Sequence, residues 1–97
     1  GVFVAFFINL NKNLILDIKI AFGGMAEMPK LASKTQKFLI GKKFNHKNII
    51  KSKNIIENEF SPISDMRASS QYRKIVSKNL LERFYLEIKN NKSETIN

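Results

Sequence analysis

The chain has no cysteine and no tryptophan, and only one histidine, two prolines and four glycines among 97 residues. The missing cysteine excludes disulfides, thiolate-held metals and a cysteine nucleophile, and removes redox chemistry as a guide to compartment. A single histidine, His46, excludes a multi-histidine metal site. In Asn45-His46-Lys47-Asn48, at a helix start, it reads as an exposed first-turn residue rather than a lone general base. A long hydrophobic run is also lacking. Gly1 to Leu10 is strongly apolar but is about half of the roughly 20 residues that span a bilayer. It has no basic leader region or initiating methionine, so neither a signal peptide nor a membrane span is expected. One domain fits this length, which is too short for a cofactor domain plus a substrate domain. A chain that opens at Gly1 inside a hydrophobic strand is expected to be cut from something longer.

Acidic residues are scarce: 8 Asp and Glu face 17 Lys and Arg, for a net charge of +9. Such a balance suits a small basic nucleic-acid-binding module, because clustered cations release counterions from phosphate. The lysines, however, are spread through all the helical regions and interleaved with Asn and Ile, the pattern of solvated faces. No specific nucleic-acid partner and no membrane partner is expected.

What is present divides into strands first and helices afterwards. Val2 to Leu10 is rich in β-branched and aromatic residues and apolar on both faces, which predicts a strand inside a wider sheet. Leu14 to Phe22 alternates, with Leu14, Leu16, Ile18, Ile20 and Phe22 on one face and Asp17 and Lys19 on the other. Asn11-Lys12-Asn13 between them suits a tight antiparallel reversal. Further strands are expected from residues before Gly1. Gly23-Gly24 leads into a strand-to-helix connection, and Pro29 suits a first helical position. The helix it opens runs to about Ile40, with Leu31, Phe38 and Leu39 on one face and Gly41 as cap. Asn45 caps a second helix, His46 to Phe60, buried through Ile49, Ile56 and Phe60 with help from Ile50. After the loop Ile63 to Ala68, Ser69 or Ser70 caps a third helix to about Ile88. Its apolar face is Tyr72, Ile75, Val76, Leu80, Phe84 and Ile88, widened by Leu81 and Tyr85. The polar residues 89–97 are expected to fray. Strands followed by helices predict an α+β fold, with an antiparallel sheet and three helices packed on one side.

Few constellations could carry chemistry. Gly23-Gly24 lacks both the G-x-G-x-x-G spacing and a P-loop ending, so it reads as a tight turn rather than a phosphate cradle. Ser61 to Arg67 is the most polar loop, and Asp65 and Arg67 read there as cross-bracing. A catalytic role would want a second carboxylate, and Glu57 and Glu59 lie on the preceding helix. Tyr72-Arg73 and Arg83-Phe84-Tyr85 could stack on a flavin or a base. At helical spacing Tyr72 and Phe84 read instead as core, with Arg73 and Arg83 at the surface.

The segments that remain resemble a known family. Ala21-Phe22-Gly23-Gly24-Met25-Ala26, Pro29-Lys30-Leu31-Ala32 and Phe38-Leu39-Ile40-Gly41-Lys42 resemble the C-terminal domains of xanthine dehydrogenase and carbon monoxide dehydrogenase flavoproteins. So do Glu59-Phe60-Ser61-Pro62-Ile63-Ser64-Asp65-Met66-Arg67-Ala68-Ser69, Tyr72-Arg73 and Asn79-Leu80-Leu81-Glu82-Arg83-Phe84. The resemblance covers roughly Val2 to Glu87. The Ala-Phe-Gly-Gly-Met-Ala and Ser-Pro-Ile-Ser-Asp-Met-Arg forms are closer to the xanthine dehydrogenase branch, and within it to the separate small subunit of bacterial enzymes. Two positions depart from the pattern. Lys43 precedes Phe44 where members often carry Pro, and Gln71 precedes Tyr72 where an acidic residue is usual.

The resemblance implies that residues 1–88 form an N-terminally truncated domain of this family, with three to four antiparallel strands and three helices, and that residues 89–97 form a disordered tail. It implies a cytoplasmic parent in which molybdopterin oxidises a purine, iron–sulfur clusters pass electrons onward, and FAD reduces NAD. The implied partners are a preceding FAD-binding domain, which makes most flavin contacts, and the iron–sulfur and molybdopterin domains or subunits. An Arg- and Asp-containing segment that approaches the flavin belongs upstream of the first strand. No catalytic, cofactor-binding or metal residue is therefore assigned, and Gly23, Gly24, Asp65 and Arg67 are taken as fold-defining. The domain is not expected to be catalytic alone. The alternatives are the nucleic-acid module and an orphan remnant without activity.

Overall fold

The computed structural model describes residues 2–24, 28–60 and 70–95; the loop with Asp65 and Arg67 lies outside them. The order is β1 (Val2–Asn11), β2 (Leu14–Gly24), β3 (Lys30–Leu31), α1 (Ser33–Leu39), α2 (His46–Phe60) and α3 (Ser70–Thr95). The strands form one antiparallel sheet in the order β1-β2-β3. The fold is α+β, as the sequence pattern predicts.

β1 and β2 are joined by a two-residue turn in which Lys12 and Asn13 both adopt positive φ (47° and 69°). This mirror-image geometry matches the right-handed twist of the strands. The expected alternation of β2 fails at one place. Asn9 pairs with Asp17 but Leu10 with Ile15, so Leu16 is an extra, bulged residue. The bulge changes which face each parity occupies. Ile15, rather than Leu14 or Leu16, is buried beside Ile18, Ile20 and Phe22, while Leu14 and Leu16 are exposed.

The sheet gains a third strand from residues after the hairpin, where the sequence pattern predicts only a connection and the start of a helix. Lys30 and Leu31 pair with Phe22 and Ala21. Pro29 therefore precedes a strand, Leu31 lies outside the helix, and α1 begins only at Ser33. Gly23 and Gly24 belong to β2 and pair with Phe3 and Val2, so they form no strand-to-helix turn.

Beyond β3, the outer edge of β2 is covered by other groups. The Ile20 amide donates to Oε1 of buried Gln36 at 2.8 Å, and the Ala32 amide donates to the Ile20 carbonyl. Gly41, at φ 87°, turns the chain out of α1, and its amide donates to the Ile15 carbonyl. The amides of Ile15 and Phe44 donate to the carbonyls of Lys42 and Asn13. These bonds flank the Leu14–Lys43 bridge without using the Lys43 amide. Proline at this position would cost the ladder none of these hydrogen bonds.

α2 has the expected boundaries. Oδ1 of Asn45 accepts the Asn48 amide at 2.9 Å, as an N-cap does. Ile49 and Ile56 are buried, but Ile50 is exposed and the neighbouring inward position is Ser52. α1 lies against β2, α3 against β1, and α2 packs onto both helices. The inner face of β1 (Val4, Phe6, Ile8, Leu10) meets α3, where Phe6 stacks on Phe84 with ring centroids 4.3 Å apart. Leu81 is the fully buried residue among those of α3 whose burial is described, and Tyr85 packs edge-on to Phe44. α3 continues to Thr95, past the end near Ile88 that its apolar face suggests. Lys89 ties the first residues of the extension back to the core: its ammonium lies 5.5 Å from the Phe44 ring centroid and 5.7 Å from that of Tyr85, and donates to Oδ1 of Asn13 at 2.7 Å.

Candidate functional site

Among the described residues, the helices lie on one face of the sheet and leave the other open. In β1 the even residues point inward, so Ala5, Phe7 and Asn9 point outward, and all three are exposed. Pairing places Ala5 beside Ala21 and Ala21 beside Leu31, one apolar row across three strands. Phe7, opposite Lys19, is 56% exposed and Leu31 46%. Met28, just before β3, is almost fully exposed. The far edge of β1 has no strand beside it among the described residues. That strand has no charged residue and no proline, the usual guards of an exposed edge. An uncovered apolar row, with Phe7 exposed beside it, next to an unguarded edge has the character of an interface.

The polar side chains singled out in the sequence are occupied with structure. Glu57 pairs with Lys78 at 2.9 Å. The Glu59 carboxylate accepts the amides of Lys34 (3.0 Å) and Thr35 (2.8 Å) and the Thr35 hydroxyl. It thus caps α1, which has no side-chain cap of its own. His46 is exposed at the start of α2, with Nε2 2.8 Å from Oε1 of Glu82. The other oxygen of Glu82 holds the Lys53 ammonium. The bonds from Lys53 and then His46 hold the Glu82 carboxyl below its ordinary range. Arg83 is exposed and bonded to Glu87, while Phe84 and Tyr85 join the core. The side chains of Tyr72 and Arg73 lie outside the described set. The capping role of Glu59 and the edge-pairing role of Gln36 were not read from the sequence. A glutamate two residues before Ser61-Pro62, and an amide side chain among the lysines of a short helix, were the available signals.

The described residues do not make a flavin pyrophosphate site. The paired glycines run inside β2 rather than opening a helix, so no helix N-terminus meets them. No group of three or more His, Cys, Asp or Glu suited to a metal occurs among the described residues. No described helix is long and apolar enough to cross a membrane.

A three-stranded antiparallel sheet with one helical layer and, among the described residues, one open face defines an α+β domain. Residues 1–88 match the CO dehydrogenase flavoprotein C-terminal domain, and the chain belongs to that family. It is 38% identical over 85 residues to the glyceraldehyde dehydrogenase medium chain of Sulfolobus acidocaldarius, covering 88% of this chain and 30% of that one. The fold is similar to quinoline 2-oxidoreductase from Pseudomonas putida 86 (TM-score 0.70, 22% identity, 89% of this chain and 30% of that one). It is likewise similar to reconstituted CO dehydrogenase from Oligotropha carboxidovorans (TM-score 0.67, 22% identity, 84% and 29%). The chain thus spans about three-tenths of the length of these proteins.

Proposed function

We propose that this chain is the C-terminal domain of the FAD-binding subunit of a molybdenum hydroxylase, in which it supports FAD placement and performs no reaction itself. The observation that carries this reading is the open apolar row Ala5–Ala21–Leu31 with Phe7 beside it, on a family domain three-tenths the length of its relatives. A preceding FAD-binding domain covers that face, holds most of the flavin, and is held in turn by this domain. The parent complex is cytoplasmic and carries molybdopterin and iron–sulfur clusters on other domains or subunits.

The finer form of the proposal is the xanthine dehydrogenase type, in which a purine is oxidised at molybdopterin and FAD reduces NAD. The Ala21-Phe22-Gly23-Gly24-Met25-Ala26 and Ser61-to-Arg67 sequences support it. The similarity to a glyceraldehyde dehydrogenase medium chain favours a second form, in which the substrate is an aldehyde.

The test uses the complete flavin-containing enzyme carrying Phe7→Glu with Leu31→Glu. Both side chains are exposed in this chain, so its own fold should tolerate the change, whereas FAD should be lost from the enzyme on gel filtration. Full flavin retention would contradict the proposed interface. Xanthine-dependent NAD reduction by the unaltered enzyme supports the purine form; glyceraldehyde oxidation without it supports the aldehyde form.

A further inference from the structure

The side-chain charges of the described residues are not distributed evenly between use and surplus. Every described carboxylate is engaged within the chain. Asp17 accepts the Ile18 amide, Glu57 pairs with Lys78, Glu59 caps α1, Glu82 holds His46 and Lys53, and Glu87 pairs with Arg83. The outer face of α2, turned away from α1 and α3, shows the reverse. Its exposed positions recur at helical spacing as Lys47, Ile50, Lys51, Asn54 and Asn58. Lys47 and Lys51 stand one turn apart on one face, with Ile50 between them, 46% exposed. Lys43 joins them, since the Asn48 side chain donates to its carbonyl at 2.8 Å and fixes it beside the first turn. No described carboxylate pairs with any of these three lysines.

We propose that this face of α2 docks an acidic polypeptide segment of another protein, whose carboxylates meet Lys43, Lys47 and Lys51 around an apolar side chain seated on Ile50. Charge complementarity selects the occupant. A second copy of this chain brings a net charge of +9 and no unengaged carboxylate from its described residues. Nucleic acid fits less well. The face has no arginine to fork onto phosphate and no exposed aromatic on which a base could stack, and its centre is aliphatic. Lysines around an isoleucine instead match a segment with glutamates four residues apart and a leucine between them. This inference does not depend on the flavin-domain reading, because the face lies on α2 and not on the sheet.

The experiment measures fluorescence anisotropy of a fluorescein-labelled peptide of that design, titrated with the full 97-residue chain at about 0.15 M salt. The control is Lys12→Glu with Lys30→Glu, which changes net charge as much as Lys47→Glu with Lys51→Glu does. The proposal predicts a loss of about tenfold or more for the α2 pair, under about threefold for the control pair, and weakening by Ile50→Ala. Circular dichroism checks that each variant is folded. Equal losses in the two pairs would mean diffuse charge only and would overturn the proposal. So would failure of the peptide to bind, or tighter and Lys47-dependent binding of a labelled DNA duplex.

Discussion

Glu82 concentrates the ionic chemistry of the molecule. One carboxylate reaches two side chains of α2, His46 at its start and Lys53 two turns on, and so fastens α3 to α2. Hydrogen bonds from Lys53 and His46 favour its charged form, which lowers its proton affinity in the folded chain. The folded value lies below the unfolded one of about 4.3, so its stabilisation is present above that pH and is lost as pH falls through the folded value. Glu82→Gln should therefore melt below the wild type near neutral pH, with the gap closing as the solution is acidified through the lowered folded value. A gap in thermal midpoint that stayed constant with pH would show that the carboxylate charge is not what holds the two helices. Among single residues, His46 and Arg83 were legible from the sequence as surface groups. The Glu82 cluster was not, because its members are 36 and 29 residues apart along the chain and no local pattern joins them.

At the scale of elements, what the sequence revealed depended on length and periodicity. α2, with fifteen residues, an Asn cap and inward Ile49 and Ile56, was legible to its ends. The hairpin turn was legible because asparagine tolerates the positive φ that its geometry requires. β3 was not, since a two-residue strand is defined by backbone bonds to Ala21 and Phe22 rather than by any alternation of its own. Pro29 added to the error by imitating a first helical turn. The bulge at Leu16 likewise leaves no mark in an apolar run where every candidate, from Leu14 to Ile18, is equally hydrophobic apart from Asp17. α1 illustrates how a weak element is completed from outside. Seven residues with no cap of its own form a marginal helix, and Glu59 of α2 supplies the missing acceptor. Glu59→Ala should cost about 1–2 kcal/mol in urea denaturation, the loss of a helix cap with a second amide left unpaired. A change under about 0.5 kcal/mol would mean that water replaces the carboxylate without penalty.

The whole molecule shows a division of surfaces. The inner face of the sheet is covered by α1 and α3 with α2 packed on both, the open face carries a row of alanine and leucine with Phe7 beside it, and the outer face of α2 carries lysines. Family membership was legible because two sequence motifs survive in order. The open face was legible only in part, from a first strand apolar on both sides, because the register that puts Ala5, Ala21 and Leu31 in one row depends on β3. This distribution of surfaces supports the proposal that the chain is a component of a larger flavoprotein. The most direct measurement is the coding DNA immediately upstream of the Gly1 codon. The account predicts an open frame running back through an Arg- and Asp-containing segment into a glycine-bearing flavin-binding domain. An in-frame stop followed by a local start codon would contradict it and leave the orphan-domain reading in its place.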